Sequence, residues 1–295
     1  MRKFLIIGGA CLALCACNQK PASTACNAAP VASKAAADRA IADCNALINA
    51  APQPGPGQAD AYLDRGDAYL FNKAYSQAID NYTQVLSLRP DDKHALLNRG
   101  IAYHRAGKGQ KALADFDRLI ELDPKSPEAY FNRGNADDQG GRPDLAIKDF
   151  DKAIELKPTY AEAFINRGAM KDAKDDYKGA LADYDRAAAL DPKNALPHTD
   201  KGVSLLNSGR IDEALRELDT SISLQPSAYA YIARGHAHAA RNQLELAIAD
   251  YSSAITLEPS AEAYTDRSIA RARFGDAKGS EEDKAAAEKL DASGR

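Results

Sequence analysis

Residues 128 to 158 read EAYFNRGNADDQGGRPDLAIKDFDKAIELKP. The spacing predicts two amphipathic helices, one over about Glu128–Gln139 and one over about Asp144–Leu156. Gly140-Gly141 supplies the turn between them, and Pro143 suits the first turn of the second helix, where its missing N–H is no loss. Neither helix is long or apolar enough to stand alone, so each apolar stripe needs a neighbour to cover it.

The chain supplies that neighbour by repetition. From Gly134 the same glycine recurs as Gly66, Gly100, Gly168 and Gly202 at steps of 34 residues, then as Gly235 and Ser268 at steps of 33. A loop proline keeps the register (Pro90, Pro124, Pro158, Pro192, Pro226, Pro259), as does a small residue in the second helix (Ala78, Ala112, Ala146, Ala180, Ala214, Ala247, Ser280). Counting the glycine as position 8, position 4 is aromatic in Tyr62, Tyr130, Phe164, Tyr231 and Tyr264. Position 24 is aromatic in Tyr82, Phe116, Phe150, Tyr184 and Tyr251.

This order of residues resembles the tetratricopeptide repeat (TPR) family over about residues 59 to 294. The resemblance implies an all-α fold: an α-solenoid, wound as a right-handed superhelix, of seven helix-turn-helix repeats. Their bounds are about 59–92, 93–126, 127–160, 161–194, 195–227, 228–260 and 261–294. Position 11, usually aromatic in the family, is Asp137 in the third repeat and Lys171 in the fourth. Position 7 is often leucine and position 23 aromatic in the family. Here both are charged: Arg99 with Asp115, Arg133 with Asp149, Arg167 with Asp183, Lys201 with Glu217, Arg234 with Asp250 and Arg267 with Asp283. In an antiparallel hairpin turning near position 15 these two positions face each other. We therefore expect a ladder of structural ion pairs within repeats, with only Arg65, opposite Asn81, lacking its acid.

The chain opens MRKFLIIGGACLALCAC: a basic start at Arg2 and Lys3, an apolar run too short to span a bilayer, and Leu14-Cys15-Ala16-Cys17. This resembles a bacterial lipoprotein signal, with Cys17 as the lipidated residue of the mature chain. The resemblance implies a protein of the cell envelope. Asn18, where Asp would resemble an inner-membrane retention signal, points to the outer membrane, with the protein facing the periplasm. We divide the rest into a flexible Ala/Pro/Ser/Thr-rich tether over 17–33, a capping helix over 34–50 with Ser33 as its cap, a Pro/Gly linker over 51–58 and the repeats over 59–295. The capping helix is read as an orphan second helix: AIADCNALI aligns with AIDNYTQVL of the first repeat. Cys26 and Cys44 remain after signal removal. They either form a disulfide, as an oxidising compartment allows, or leave Cys44 as a small packing residue.

Catalytic readings find no support: no GxSxG, GxxxxGK[ST] or HExxH is present, so we expect no enzyme, no cofactor and no metal. A net charge of −4 argues against nucleic acid, whose phosphates need a basic face. Recognition of a protein remains. In the TPR family, positions 2, 5, 6, 9, 12 and 13 of the first helix line a concave groove. Here position 6 gives Asn98, Asn132 and Asn166 in successive repeats, an arrangement that suits the N–H and C=O groups of an extended peptide. Leu97, Phe131, Ile165 and Ile101 add an apolar stripe, and Asn135 a further amide. The family's clamp for chaperone C-termini is not matched, since of Leu63, Asp67, Asn98, Glu128 and Asn132 only Asn98 fits. The expectation is a non-enzymatic adaptor of the envelope that binds other envelope proteins in its groove and touches the membrane only through its lipid. A self-assembling, homodimeric envelope lipoprotein is the alternative.

Overall fold

A computed structural model of the chain describes Cys26, residues 32–50 and residues 56–293. Cys17 and the whole signal segment lie outside the described residues, as do most of the tether and part of the linker. Fifteen α-helices and no strand occur among the described residues. The helices fall into two compact units, one ending at Pro158 and the other starting at Thr159.

The first unit holds α1 (Lys34–Ala50), α2 (Pro56–Phe71), α3 (Tyr75–Leu88), α4 (Lys93–Arg105), α5 (Gly109–Leu122), α6 (Pro127–Gln139) and α7 (Pro143–Leu156). The α2 helix starts inside the segment read as linker. The α1 helix packs on α2 ahead of the hairpins α2–α3, α4–α5 and α6–α7, each of which packs on the next. The second unit holds α8 (Ala161–Ala173), α9 (Tyr177–Leu190), α10 (Leu196–Asn207), α11 (Ile211–Leu224), α12 (Ala228–Ala240), α13 (Leu244–Leu257), α14 (Ala261–Phe274) and α15 (Ala277–Ser293). It is four such hairpins, stacked in order. Seven repeats and an N-terminal capping helix thus make up an α-solenoid fold.

Local chemistry explains the helix ends. Asp92, Ser126, Asp176, Ser227 and Ser260 each accept, through a side-chain oxygen, the backbone N–H three residues on. Each hairpin turns at position 15, where Lys73, Gly107, Gly141, Asp175, Gly209, Asn242 and Gly275 all have positive φ. The closing bonds are those of a Schellman motif: in the third repeat Gly141 N–H donates to Asp138 O at 2.8 Å and Arg142 N–H to Asp137 O at 2.9 Å.

The glycine at position 8 is there for packing. A Cβ added to Gly134 would stand 2.8 Å from Cε1 of Phe150, and one on Gly100 would stand 2.5 Å from Cε1 of Phe116. The aromatic ring at position 24 packs closely against the glycine, and Tyr82, Phe116, Phe150 and Tyr184 are fully buried. The last repeat swaps the device: Ser268 and Ser280 share a hydroxyl hydrogen bond at 2.9 Å in place of the glycine and alanine used elsewhere.

Candidate binding surface

The charged positions 7 and 23 meet within each hairpin. Arg133 donates from Nε and Nη2 to the two carboxylate oxygens of Asp149, both at 2.7 Å. Arg99–Asp115, Arg167–Asp183, Arg234–Asp250 and Arg267–Asp283 repeat this two-pronged geometry. Lys201 reaches Glu217 at 2.7 Å. The hydrogen bonds it donates to Asp149, foremost, raise the Arg133 guanidinium above its ordinary pKa. Arg65, without an acid, donates to the amide oxygens of Asn81 at 2.7 Å and Asn45 at 2.5 Å. The guanidinium also lies over the position 4 ring, as Arg133 does over Tyr130 at 5.6 Å.

A second arm of this ladder escapes the sequence reading. The same cation reaches back to position 25 of the preceding repeat: Arg133 to Asp117 at 2.7 Å, Lys201 to Asp185 at 2.6 Å and Arg234 to Asp219 at 2.7 Å. Arg99 and Arg267 find the hydroxyls of Thr83 and Ser252 there instead. The pairs thus fasten hairpin to hairpin as well as closing each hairpin. The non-aromatic residues at position 11 join the network too. Lys171 gives Asp183 a second cation at 2.7 Å, Arg271 does the same for Asp283 at 3.1 Å, and Asp137 takes Arg142 at 2.8 Å.

The first helices of the hairpins carry the candidate groove residues, and the two units differ. In the first unit, Asn98 is buried and its Nδ2 donates to Asp67 Oδ1 at 2.9 Å. That carboxylate also accepts the Tyr82 hydroxyl at 2.7 Å and contacts His94 Nε2 at 2.9 Å. Asn132 is half-buried; its Nδ2 donates to the backbone oxygen of Glu128 at 2.8 Å, and its Oδ1 has no partner among the described residues. The asparagines are therefore not equivalent. Leu97, Ile101, Phe131 and Asn135 are half-buried beside them, with the Phe131 ring 5.9 Å from that of Phe150.

In the second unit, Asn166 is half-buried, but Ile165 is only 4% exposed. Ile165 thus belongs to the core and is not offered to a partner's side chains, a correction to the apolar stripe read from the sequence. Its equivalent Ile232 is likewise buried. Asp200, at the position held by asparagine in the second to fourth repeats, is 1% exposed. His236 Nε2 meets Asp266 Oδ2 at 2.7 Å, edge-on to Tyr251. The charge of these faces is one-sided. Positions 2, 6, 9 and 12 carry Asp60, Asp64, Asp67, Glu128 and Asp138 in the first unit, and Glu162, Asp172, Asp200, Glu262 and Asp266 in the second. The strong bases at the six groove positions are Arg105 in the first unit and Arg273 in the second.

Cys26 and Cys44 are joined in a disulfide, with Cα atoms 5.2 Å apart, packed on Ala61 and Ile48. An Asp64 carboxylate oxygen comes within 4.8 Å of both sulfurs. Sulfurs bonded to each other are not thiolate ligands, so this trio does not form a metal site as it stands. No helix among the described residues is long and apolar enough to cross a membrane.

Family profiles described as tetratricopeptide repeat match residues 63–127, 127–160 and 199–262, together more than half of the chain. The chain belongs to the tetratricopeptide repeat family. Repeats of this family are protein-interaction scaffolds, and their fold is generally non-enzymatic. No curated protein sequence matches the chain. Among solved structures it is similar to the MamA protein, at 25% identity and a TM-score of 0.51, over 57% of this chain and 91% of that one. A TPR protein from Parabacteroides merdae shares the fold at 20% identity and a TM-score of 0.66, over 80% of this TPR chain and 93% of that one. PilF of Pseudomonas aeruginosa does so at 17% identity and a TM-score of 0.59, over 66% and 90%.

Proposed function

We propose that this TPR protein is an adaptor of the bacterial cell envelope, lipidated at Cys17, held in the outer membrane and facing the periplasm. It binds an extended, basic segment of a partner protein along the first helices of its repeats. The observation that carries this reading is the surface around Asn132. One amide edge is fixed to the helix while the carbonyl oxygen is left open, beside half-buried Phe131 and Leu97 and among carboxylates. An open carbonyl accepts a peptide N–H whatever the side chain, and the acid excess selects for lysine and arginine in the partner. The Cys26–Cys44 disulfide supports an oxidising compartment. The leader over residues 1–16, placed directly before Cys17, supports a lipid anchor.

Crosslinking in intact cells tests the adaptor reading, comparing the wild type with Asn132→Ala combined with Phe131→Ala. Loss of a specific heterologous adduct supports it. Undiminished adducts, or adducts only between two copies of this chain, oppose it. Mass spectrometry of the mature N-terminus tests the anchor separately: lipid on Cys17 is expected, and an unmodified terminus or cleavage elsewhere would contradict it.

A further inference from the structure

In the second unit, α8, α9, α10 and α12 close around two carboxyl groups that have no ion-pair partner among the described residues. Asp172 on α8 accepts the Ser204 hydroxyl of α10 at 2.7 Å and the Tyr184 hydroxyl of α9 at 2.9 Å. Asp200 lies one turn before Ser204 on α10 and accepts the Tyr229 hydroxyl of α12 at 3.3 Å. Both aspartates are buried, and Ser204 and Tyr184 are fully so. Asp200 feels the negative charge of Asp172, and the Tyr184 hydroxyl feels both carboxyls. The other charges that act on the cluster are also negative: Asp176 on Asp172, and Glu262 of α14 on Tyr229.

No cation of α8, α9, α10 or α12 pairs with Asp172 or Asp200 among the described residues: Lys178 and Arg186 of α9 are exposed, His238 of α12 meets Gln243, and the others are engaged with other acids. Arg167 and Lys171 of α8 hold Asp183, while Lys201 of α10 holds Asp185 and Glu217. His198 of α10 meets Glu217 of α11. On α12, Arg234 holds Asp219 and Asp250, and His236 meets Asp266. The hydroxyls that donate to these carboxyls favour the ionised form, but loss of water with no counter-charge outweighs them and favours the protonated form.

We propose that Asp172 and Asp200 form a proton-operated clasp joining the first helices of the fourth, fifth and sixth repeats. While the carboxyls hold protons, α8, α10 and α12 pack closely through the hydroxyls between them. When both ionise, repulsion and the need for water loosen that packing. Burial, above all, raises Asp172 to about 6 and Asp200 to about 7. A carboxyl that holds its proton more tightly folded than unfolded favours the fold at low pH. That contribution is complete below the unfolded value of about 4 and is lost as pH rises through about 6 to 7. This is opposite in sign to an aspartate that is salt-bridged. The proposal does not depend on the binding partner.

The test uses the full mature chain with its disulfide intact, followed by thermal unfolding from about pH 5 to about pH 8. The wild-type midpoint is expected to fall over this range by roughly 5 °C or more. Asp200→Asn should abolish most of that fall, and hydrogen-exchange protection of α10 should become independent of pH. His104, in the first unit, titrates with the opposite sign because burial lowers its pKa, but it is present in both proteins and cancels in the comparison. Parallel pH profiles of wild type and variant would overturn the proposal. Should Asp200→Asn not fold, carboxyl carbon resonances of the wild type decide. Two aspartates titrating above about pH 5.5 support the clasp, and all of them titrating below it would refute it.

Discussion

Arg133 grips both oxygens of Asp149 across its own hairpin, at 2.7 Å each. Asp149 is buried, and Arg133 is about a quarter exposed. Removing the cation therefore strands an acid that water cannot easily reach. We expect Arg133→Ala to cost roughly 2–3 kcal/mol, less than the ~3–5 kcal/mol of a fully buried pair. The double change Arg133→Leu with Asp149→Tyr, which leaves no orphaned charge, should cost less than the single change. Chemical denaturation of the three proteins measures this. An unchanged midpoint for the single variant would show that the pair is only a surface contact.

Gly134 must stay bare because the Phe150 ring occupies the space of a Cβ. Gly134→Ala should destabilise by about 1–3 kcal/mol through overpacking. Gly57→Ala, where a Cβ would meet nothing within 4 Å, serves as the control. Comparable melting points for the two variants would contradict the packing argument.

Position 15 makes a prediction of both signs. Gly141 and Asp175 share a left-handed backbone at φ of 70° and 61°. Gly141→Ala should lose about 1 kcal/mol, and Asp175→Gly should gain somewhat less than that or break even. Equal losses in both variants would show that the backbone conformation is not what selects the residue.

Much of this was legible in the sequence, and the limits are instructive. The third hairpin spans Pro127–Gln139 and Pro143–Leu156, within one residue of the periodic reading, because period and turn chemistry act locally. The pairing of positions 7 and 23 also follows from one hairpin's geometry. The arm from Arg133 to Asp117 depends on how one repeat stacks on the next, which a single repeat does not encode. Burial at the groove positions likewise depends on the neighbours. Asn98 is taken up by Asp67 of the repeat before, and Asp200 by Tyr229 of the repeat after. One helical face, read alone, gives all of them as exposed.

The Cys26–Cys44 bond ties a residue of the tether to α1 and to Ala61 of α2. Closing a loop of this length is worth about 3 kcal/mol in the chain-entropy picture. Reduction should therefore raise hydrogen exchange in α1 while leaving α4 to α7 protected. Thiol titration in denaturant without reductant should find neither cysteine free. Two free thiols, or an α1 indifferent to reduction, would contradict the assignment.

The most direct test of the binding surface is site-specific photocrosslinking in living cells, with a photoreactive phenylalanine analogue placed at position 131 on α6 or at position 145 on the second helix of the same hairpin. Leu145 is exposed and lies off the proposed surface, so it reports on nonspecific encounters. We expect a discrete adduct with another envelope protein from position 131, mapping to a lysine- or arginine-rich stretch of that protein, and none from position 145. Adducts from position 145 alone, or equally from both, would contradict the claim that the first helices of the repeats hold the partner.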